Sequence, residues 1–137
     1  MSKFRYLTSF VLMLFVVSLL SACGSSEESE QSLEDRVLAR WSHLVERDFA
    51  AAWEYASPGF RQANPVDDFT RDMARRPLRW LDAAWIEKNC EEDVCQVTVD
   101  VTYQPVGAPG AQSRMTLTRT LQERWIRLDG SWWFVSN

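Results

Sequence analysis

The chain has 137 residues, of which 46% are hydrophobic, 12% aromatic and 25% charged, with a formal net charge of −4. This length predicts one domain with a core of its own. The acidic balance repels phosphate backbones and anionic headgroups, so nucleic acid and broad adhesion to anionic lipid are excluded as expected partners.

The first 22 residues have the three parts of a secretory signal peptide. Lys3 and Arg5 form a basic start, residues 10–20 are apolar except for one serine, and Ser21-Ala22 supplies a small-residue cleavage site. The apolar run is shorter than the roughly 20 residues of a comfortable membrane span, which favours a removed signal over a retained transmembrane anchor. Removal leaves 13 basic and 19 acidic residues, a formal charge of −6.

The tetrapeptide Leu20-Ser21-Ala22-Cys23 resembles the lipobox of bacterial lipoproteins. The resemblance implies that the signal is cut before Cys23, that diacylglycerol is attached to the Cys23 sulfur, and that the new amine is acylated. Several acyl chains together hold a protein stably at a bilayer, whereas one holds it only marginally. Gly24 resembles an outer-membrane sorting signal. These residues imply a lipid-anchored protein of the bacterial cell envelope, facing the periplasm and attached to the outer membrane.

The segment after Cys23 is polar and acidic. Residues 24–32 contain three glutamates, four serines and no apolar residue. Such a composition predicts a flexible tether rather than packed structure. We therefore divide the chain into a signal peptide (1–22), a lipidated cysteine with its tether (23–32) and a folded domain (33–137).

The first half of the domain predicts helices. Ser32 is a candidate N-cap for a helix over 33–46, where apolar residues recur at three- and four-residue spacing. A second helix is predicted over 49–56 and another over 66–75, each preceded by a residue or pair typical of a helix start. The apolar stripes predict that these helices pack on one face of a neighbouring layer.

The second half predicts an antiparallel sheet. Strands are expected over 78–88, 94–103, 114–128 and 132–135, and residues 94–103 alternate cleanly between apolar and polar. Asp129-Gly130 is typical of a hairpin turn. Helices followed by a four-stranded meander predict an α+β fold with the helices on one face of the sheet.

Cys90 and Cys95 flank a short polar stretch between the first two strands. Disulfides persist outside the cytoplasm, and a bridge here would fix the register of the hairpin. The alternative is a metal pair, which needs further soft ligands, and the single histidine, His43, is distant in sequence. We therefore predict a Cys90–Cys95 disulfide, no metal site and no cofactor.

The order of elements and a pattern of aromatic residues resemble the nuclear-transport-factor-2-like (NTF2-like) superfamily over residues 33–137. The residues that carry the resemblance are Arg40-Trp41, Asp48-Phe49, residues 52–55 and 57–61, and residues 129–134. It implies that a curved four-stranded sheet wraps the N-terminal helix into a cone, often with a pocket inside. The superfamily includes isomerases, dehydratases, small-molecule binders and dimerisation modules, so the fold alone implies no function.

One carboxylate is a candidate for catalysis. Asp82 has the parity of Trp80 in the first strand. If that face lined the cone, the carboxyl group would lie in an apolar pocket, an environment that suits proton transfer. The alternative is an exposed or ion-paired carboxylate. Asp100 has the parity of a wet face. His43 is predicted to face solvent, and the alternative is a general base on the wall of the cone.

Other charged residues favour structural interpretations. Arg119 and Glu123 interrupt the apolar parity of the third strand, and we expect salt bridges on an exposed part of the sheet rather than a polar patch on its concave face. A basic cluster is predicted to be a solvated helix face, with an anion or partner site as the alternative. Its members are Arg71, Arg75, Arg76 and Arg79.

Trp132 and Trp133 are adjacent in the last strand, so a regular strand places them on opposite faces. The outward one is expected to meet a ligand, a protein partner or a second copy of the chain, because such aromatics carry much interface energy.

These observations predict a non-catalytic binding or interaction module held at a membrane. The candidate binding residues are Trp80, Asp82, Trp132 and Trp133, and the expected partner is an envelope protein or a small apolar ligand. One alternative is an isomerase- or dehydratase-like enzyme that uses the pocket of the cone. The other is a structural homodimer. The sequence contains no nucleophile-elbow motif, phosphate loop or dinucleotide fingerprint.

Overall fold

The computed structural model describes residues 32–107, 110 and 115–136. In this part of the chain, helices precede strands as the sequence predicts. The helices are α1 (Leu33–Glu46), α2 (Phe49–Trp53), α3 (Pro58–Ala63) and α4 (Val66–Ala74), and the strands are β1 (Leu78–Glu91), β2 (Val94–Pro105), β3 (Leu117–Leu128) and β4 (Ser131–Val135). The predicted signal peptide, Cys23 and the tether up to residue 31 lie outside the described residues.

Side-chain caps start three of these helices. The Ser32 hydroxyl accepts a hydrogen bond from the backbone N–H of Asp35 at 3.1 Å and starts α1. Asp48 and Ser57 accept equivalent bonds at the starts of α2 and α3. Each cap satisfies a backbone donor that the first turn of a helix leaves unpaired. No helix within the described ranges is long and apolar enough to cross a membrane.

The sheet is an antiparallel meander in the order β1-β2-β3-β4. Its concave face carries the buried residues of β2, which alternate as predicted, together with Trp125 of β3. The apolar stripe of α1 packs against this face and completes the core. The α+β prediction is therefore confirmed, with the helices on the concave side of a curved, open sheet.

Two bulges interrupt β1. The register moves from Trp80 opposite Tyr103 directly to Asp82 opposite Thr102, so Leu81 is an extra residue, and Ile86 is extra in the same way. Each bulge moves the following residues to the other face of the strand. The inward positions after Trp80 are therefore Ala83 and Trp85, which pack against the core.

The predicted disulfide is present between Cys90 and Cys95, a directly opposed pair of β1 and β2. Its closed loop has a sequence separation of 5 residues, so its entropic contribution to stability lies below the roughly 3 kcal/mol expected for a 15-residue loop. The backbone N–H of Arg127 also donates to the Asp93 carbonyl in the turn. The disulfide thus acts locally, by fixing the end of the β1–β2 hairpin.

The connection between α2 and α3 covers the outer edge of β4. The Phe134 N–H donates to the Tyr55 carbonyl, and the Ser57 N–H donates to the Phe134 carbonyl, both at 2.8 Å. Ala56 forms a parallel bridge with Phe134 between these two bonds. The last strand is therefore hydrogen-bonded on both sides, to β3 and to residues 55–57.

Candidate functional site

A pocket of about 450 Å³ lies between the helices and the concave face of the sheet. Its volume falls within the range of roughly 300–1,000 Å³ that is usual for small-molecule sites. Its walls are mainly apolar. Six aromatic side chains line it: Trp41, Phe60, Phe69, Trp80, Tyr103 and Phe134.

Edge-to-face ring contacts hold this aromatic lining in place. The Trp80 ring lies 6.4 Å from the Trp41 ring and 6.3 Å from the Phe49 ring, measured between centroids. Phe60 and Phe69 form a similar pair at 6.1 Å. Such pairs contribute about 0.5–1.5 kcal/mol beyond the burial of their area. The apolar walls therefore come from α1, α3, α4 and β1 together, and Trp80 is the predicted binding residue that does line the pocket.

A buried ion pair closes the inner end of the pocket. Arg40 of α1 donates from Nη1 to Oε1 of Glu123 at 2.9 Å. Trp125 donates from Nε1 to the other carboxylate oxygen at 3.0 Å. Arg40 and Glu123 are only 7% and 6% exposed. The guanidinium carbon also lies 3.7 Å from the centroid of the Phe134 ring.

Burial of this ion pair changes the pKa of Arg40. Desolvation lowers the pKa of Arg40, the charge and hydrogen bond of Glu123 act in the opposite direction, and the nearby positive charge of Arg76 lowers it further. An arginine stays charged in proteins, so the buried charge requires its partner. The two carboxylate oxygens of Glu123 accept hydrogen bonds from Arg40 and from Trp125.

The expectation of an exposed salt bridge at Glu123 is wrong. Leu121, Glu123 and Trp125 share the inward parity of β3, and Glu123 lies on the concave face. Arg40 lies three residues after Val37 and four before Leu44, which is the spacing of one helix face, and all three are buried. That spacing was the available signal for a buried cation.

The catalytic candidate Asp82 does not reach the pocket. The prediction that it shares a face with Trp80 assumed a regular strand, and the bulge at Leu81 places it on the outer face opposite Thr102. Its side chain is exposed. The pocket therefore receives no carboxylate from β1 at this position.

Trp132 and Trp133 point to opposite faces, and the structure assigns them different neighbours. Trp132 is half-buried against the core, with Arg127 over its ring. Trp133 is stacked between two guanidinium groups, with Arg36 at 5.2 Å and Arg61 at 5.0 Å from the ring centroid. Of the four predicted binding residues, Trp80 therefore lines the pocket, whereas Asp82, Trp132 and Trp133 do not.

The two arginines that contact Trp133 also contact aromatic rings in the helical half of the domain. Arg36 also lies over the ring of Tyr55, and Arg61 over that of Trp53. The Nε of Arg36 donates to the Trp132 carbonyl at 2.7 Å. Burial lowers the pKa of Arg36, Tyr55 raises it and Arg61 lowers it. This alternation of two cations with three rings joins α1, α2 and α3 to β4.

The two remaining candidates, His43 and Asp100, contact neighbouring side chains. His43 is half-buried, with its ring 5.7 Å from that of Tyr55, so the expectation that it faces solvent is wrong. Asp100 lies on the outer face and accepts a hydrogen bond from Thr120 on β3. Within residues 32–107, 110 and 115–136, no group of three or more potential ligands could hold a metal ion.

The fold is similar to those of solved bacterial proteins. A SEC-C motif containing protein from Rhodopseudomonas palustris matches with a TM-score of 0.60 and 16% identity, over 80% of this chain and 79% of that protein. The fold is also similar to that of a protein described as an NTF2-like transpeptidase, from Campylobacter jejuni, which matches with a TM-score of 0.52 and 15% identity, over 76% of this chain and 97% of that protein.

A further SEC-C motif containing protein, from Psychrobacter arcticus, matches with a TM-score of 0.59 and 10% identity, over 78% of this chain but only 60% of that protein. No protein-family model and no curated protein matches the sequence. At these identities the structural matches establish the fold alone, because an NTF2-like fold hosts unrelated activities.

Proposed function

We propose that the chain is a non-catalytic binding module that takes a small apolar ligand into its pocket while a lipid anchor at Cys23 holds it in the cell envelope. The observation that carries the binding role is the aromatic pocket of about 450 Å³ between α1 and the sheet. Its size suits a small molecule, and its lining suits an apolar surface.

The chemistry of the pocket favours binding over proton transfer. Glu123 is the one carboxylate among the described residues that line it. Its two oxygens already accept hydrogen bonds from Arg40 and Trp125. The buried ion pair with Arg40 gives Glu123 a structural role in the wall of the pocket. The isomerase-like alternative relied on Asp82, which lies on the outer face of the sheet.

We test the pocket with the neutral dye N-phenylnaphthylamine, whose fluorescence rises in apolar surroundings. The wild-type domain should bind the dye, and Leu121→Trp should weaken binding by about ten-fold or more, since the larger ring fills space in the pocket where Leu121 lies. Leu128→Trp is the matched control, because Leu128 lies on the same strand but is exposed outside the pocket. Equal dye binding by both variants contradicts the proposed site.

The anchor has a separate basis in the lipobox-like Leu20-Ser21-Ala22-Cys23. The tether of nine residues between Cys23 and α1 could extend to about 30 Å, which keeps the pocket close to the bilayer. A membrane-anchored binder would meet apolar molecules where they are concentrated.

Lipidation is tested on the full chain expressed in a bacterium with two membranes. The mature protein should fractionate with the outer membrane and have the mass of a chain beginning at Cys23 with acyl groups attached. Cys23→Ser should abolish both acylation and cleavage, because the thiol is the attachment point that the lipobox implies. A wild-type product that is uncut, free of fatty acid and cytosolic refutes the anchor and leaves the pocket untouched.

A further inference from the structure

We propose that the ligand of this pocket is a small amphiphilic anion, whose apolar body lies against the aromatic lining and whose charged group lies beside Arg76 and Arg119. The inference rests on the binding role proposed above and specifies the chemical class of the ligand.

The lining of the pocket carries more positive than negative charge. Among the described residues, the arginines Arg40, Arg76 and Arg119 line the pocket, against the single carboxylate of Glu123. Because Glu123 is paired with Arg40, two positive charges remain. This local excess is opposite in sign to the chain as a whole, which carries a formal charge of −4. A cleft lined by one sign of charge attracts ligands of the other sign.

Arg124 does not add to the positive charge of the pocket, because its side chain lies on the other face of the sheet. It is opposite Gln96 in the register of β2 and β3, and both residues line a small depression on the outer face of the sheet. Its side chain therefore belongs to the convex side of the sheet.

The two remaining cations have no side-chain partner among the described residues. Within residues 32–107, 110 and 115–136, the side chains of Arg76 and Arg119 form no ion pair or hydrogen bond, and both are exposed. Arg76 also acts on Arg40 as a like charge. An anion bound beside Arg76 would relieve that repulsion and supply the missing partner.

The inward-facing residues of β3 become more buried from one end of the pocket to the other. Arg119, Leu121 and Glu123 share the inward face, and burial increases from the exposed Arg119 through the half-buried Leu121 to the buried Glu123. Leu121 lies about 7 Å deeper than Arg119 along the strand. A charged group at Arg119 therefore places an attached apolar chain beside Leu121 and the aromatic walls.

An unsatisfied donor also favours a ligand with an oxygen acceptor. Trp41 lines the pocket, and its Nε1 is buried without a hydrogen-bond partner among the described residues. A buried donor normally finds an acceptor, from the protein, water or a ligand. A pure hydrocarbon could not provide one, whereas a ligand that carries an oxygen atom could.

The test is displacement of bound N-phenylnaphthylamine by three competitors with the same alkyl chain: octanoate, octanol and octyltrimethylammonium. At neutral pH and low salt, octanoate should displace the dye at about ten-fold lower concentration than octanol, since a charge-assisted hydrogen bond to arginine adds to the shared apolar contact. The cationic competitor should be weakest. Added salt should reduce the advantage of octanoate, because Arg76 and Arg119 are exposed.

Two variants locate the charged group. Arg119→Gln and Arg76→Gln should each reduce the preference for octanoate over octanol, measured as the ratio of the two displacing concentrations, by about three-fold or more. Arg79→Gln is the matched control, since Arg79 is an exposed arginine of the same basic cluster that does not line the pocket. All three positions are exposed, so the variants are expected to fold.

The outcomes separate the two proposals. Dye binding that Leu121→Trp abolishes, combined with equal displacement by octanoate and octanol, overturns the anionic ligand and leaves the pocket in place. Absence of dye binding and of any competition overturns both. A preference for octanoate that falls equally in Arg79→Gln and Arg119→Gln reflects the general field of the domain and also overturns the assignment to Arg119.

Discussion

Arg40→Met is expected to lower the free energy of unfolding by about 3–5 kcal/mol, because it leaves the Glu123 carboxylate buried without its counter-charge. Arg40 donates to Glu123 at 2.9 Å, and both side chains are nearly excluded from solvent. Glu123→Gln should have a comparable effect, since the guanidinium then stays charged in an apolar environment. Urea denaturation followed by tryptophan fluorescence measures both changes.

A double variant and an exposed pair provide the controls. Arg40→Met combined with Glu123→Met should recover much of the loss, because apolar residues of similar volume replace a buried ion pair at little cost. Recovery should be incomplete, since Trp125 then loses its acceptor. Arg71→Met breaks the exposed pair with Asp68 and should cost no more than about 1 kcal/mol. Equal losses for Arg40→Met and Arg71→Met would contradict a buried pair.

Trp125→Ala is expected to destabilise the domain by about 3–5 kcal/mol, through the cavity that the missing indole leaves. Trp125 is 0% exposed, packs edge-to-face on Phe134 at 5.8 Å and donates to Glu123. Trp125→Phe retains an aromatic ring against Phe134 and removes the donor, so its cost should be clearly smaller. The same urea titration, with fluorescence from the remaining tryptophans, separates the two variants. Identical losses would show that packing at this position contributes little.

The helix α1 and the strand β2 were predictable from the sequence, because the spacing of their apolar residues indicates both the type of element and its buried face. The apolar residues of α1 recur with the helical period, and those of β2 alternate with the period of a strand, so both buried faces follow from the chain alone. The cap at Ser32 and the disulfide between Cys90 and Cys95 are likewise local, and both are present. Local patterns therefore gave the fold class and much of the core.

The candidate site was less predictable, because it depends on the register of the strands and on contacts between residues that are distant in sequence. Parity carries a face assignment along a strand only while the strand is regular, and the bulge at Leu81 reverses it before Asp82. Arg40 and Glu123 are 83 residues apart, and charged residues are expected at the surface unless a partner is known. The lining of the pocket comes from helices and strands in both halves of the domain, so no single segment of the sequence could indicate it.

The hydrogen bonds between Phe134 and residues 55–57 affect when the domain can form during synthesis. Residues 131–135 leave the ribosome after all the other described elements, yet they fill the groove between β3 and the α2–α3 connection and supply Trp133 to the arginine stack. Contacts this far apart in sequence cannot form until the later segment exists. The contacts of β4 with residues 55–57 and with the two arginines therefore form last, after every other described element has been synthesised.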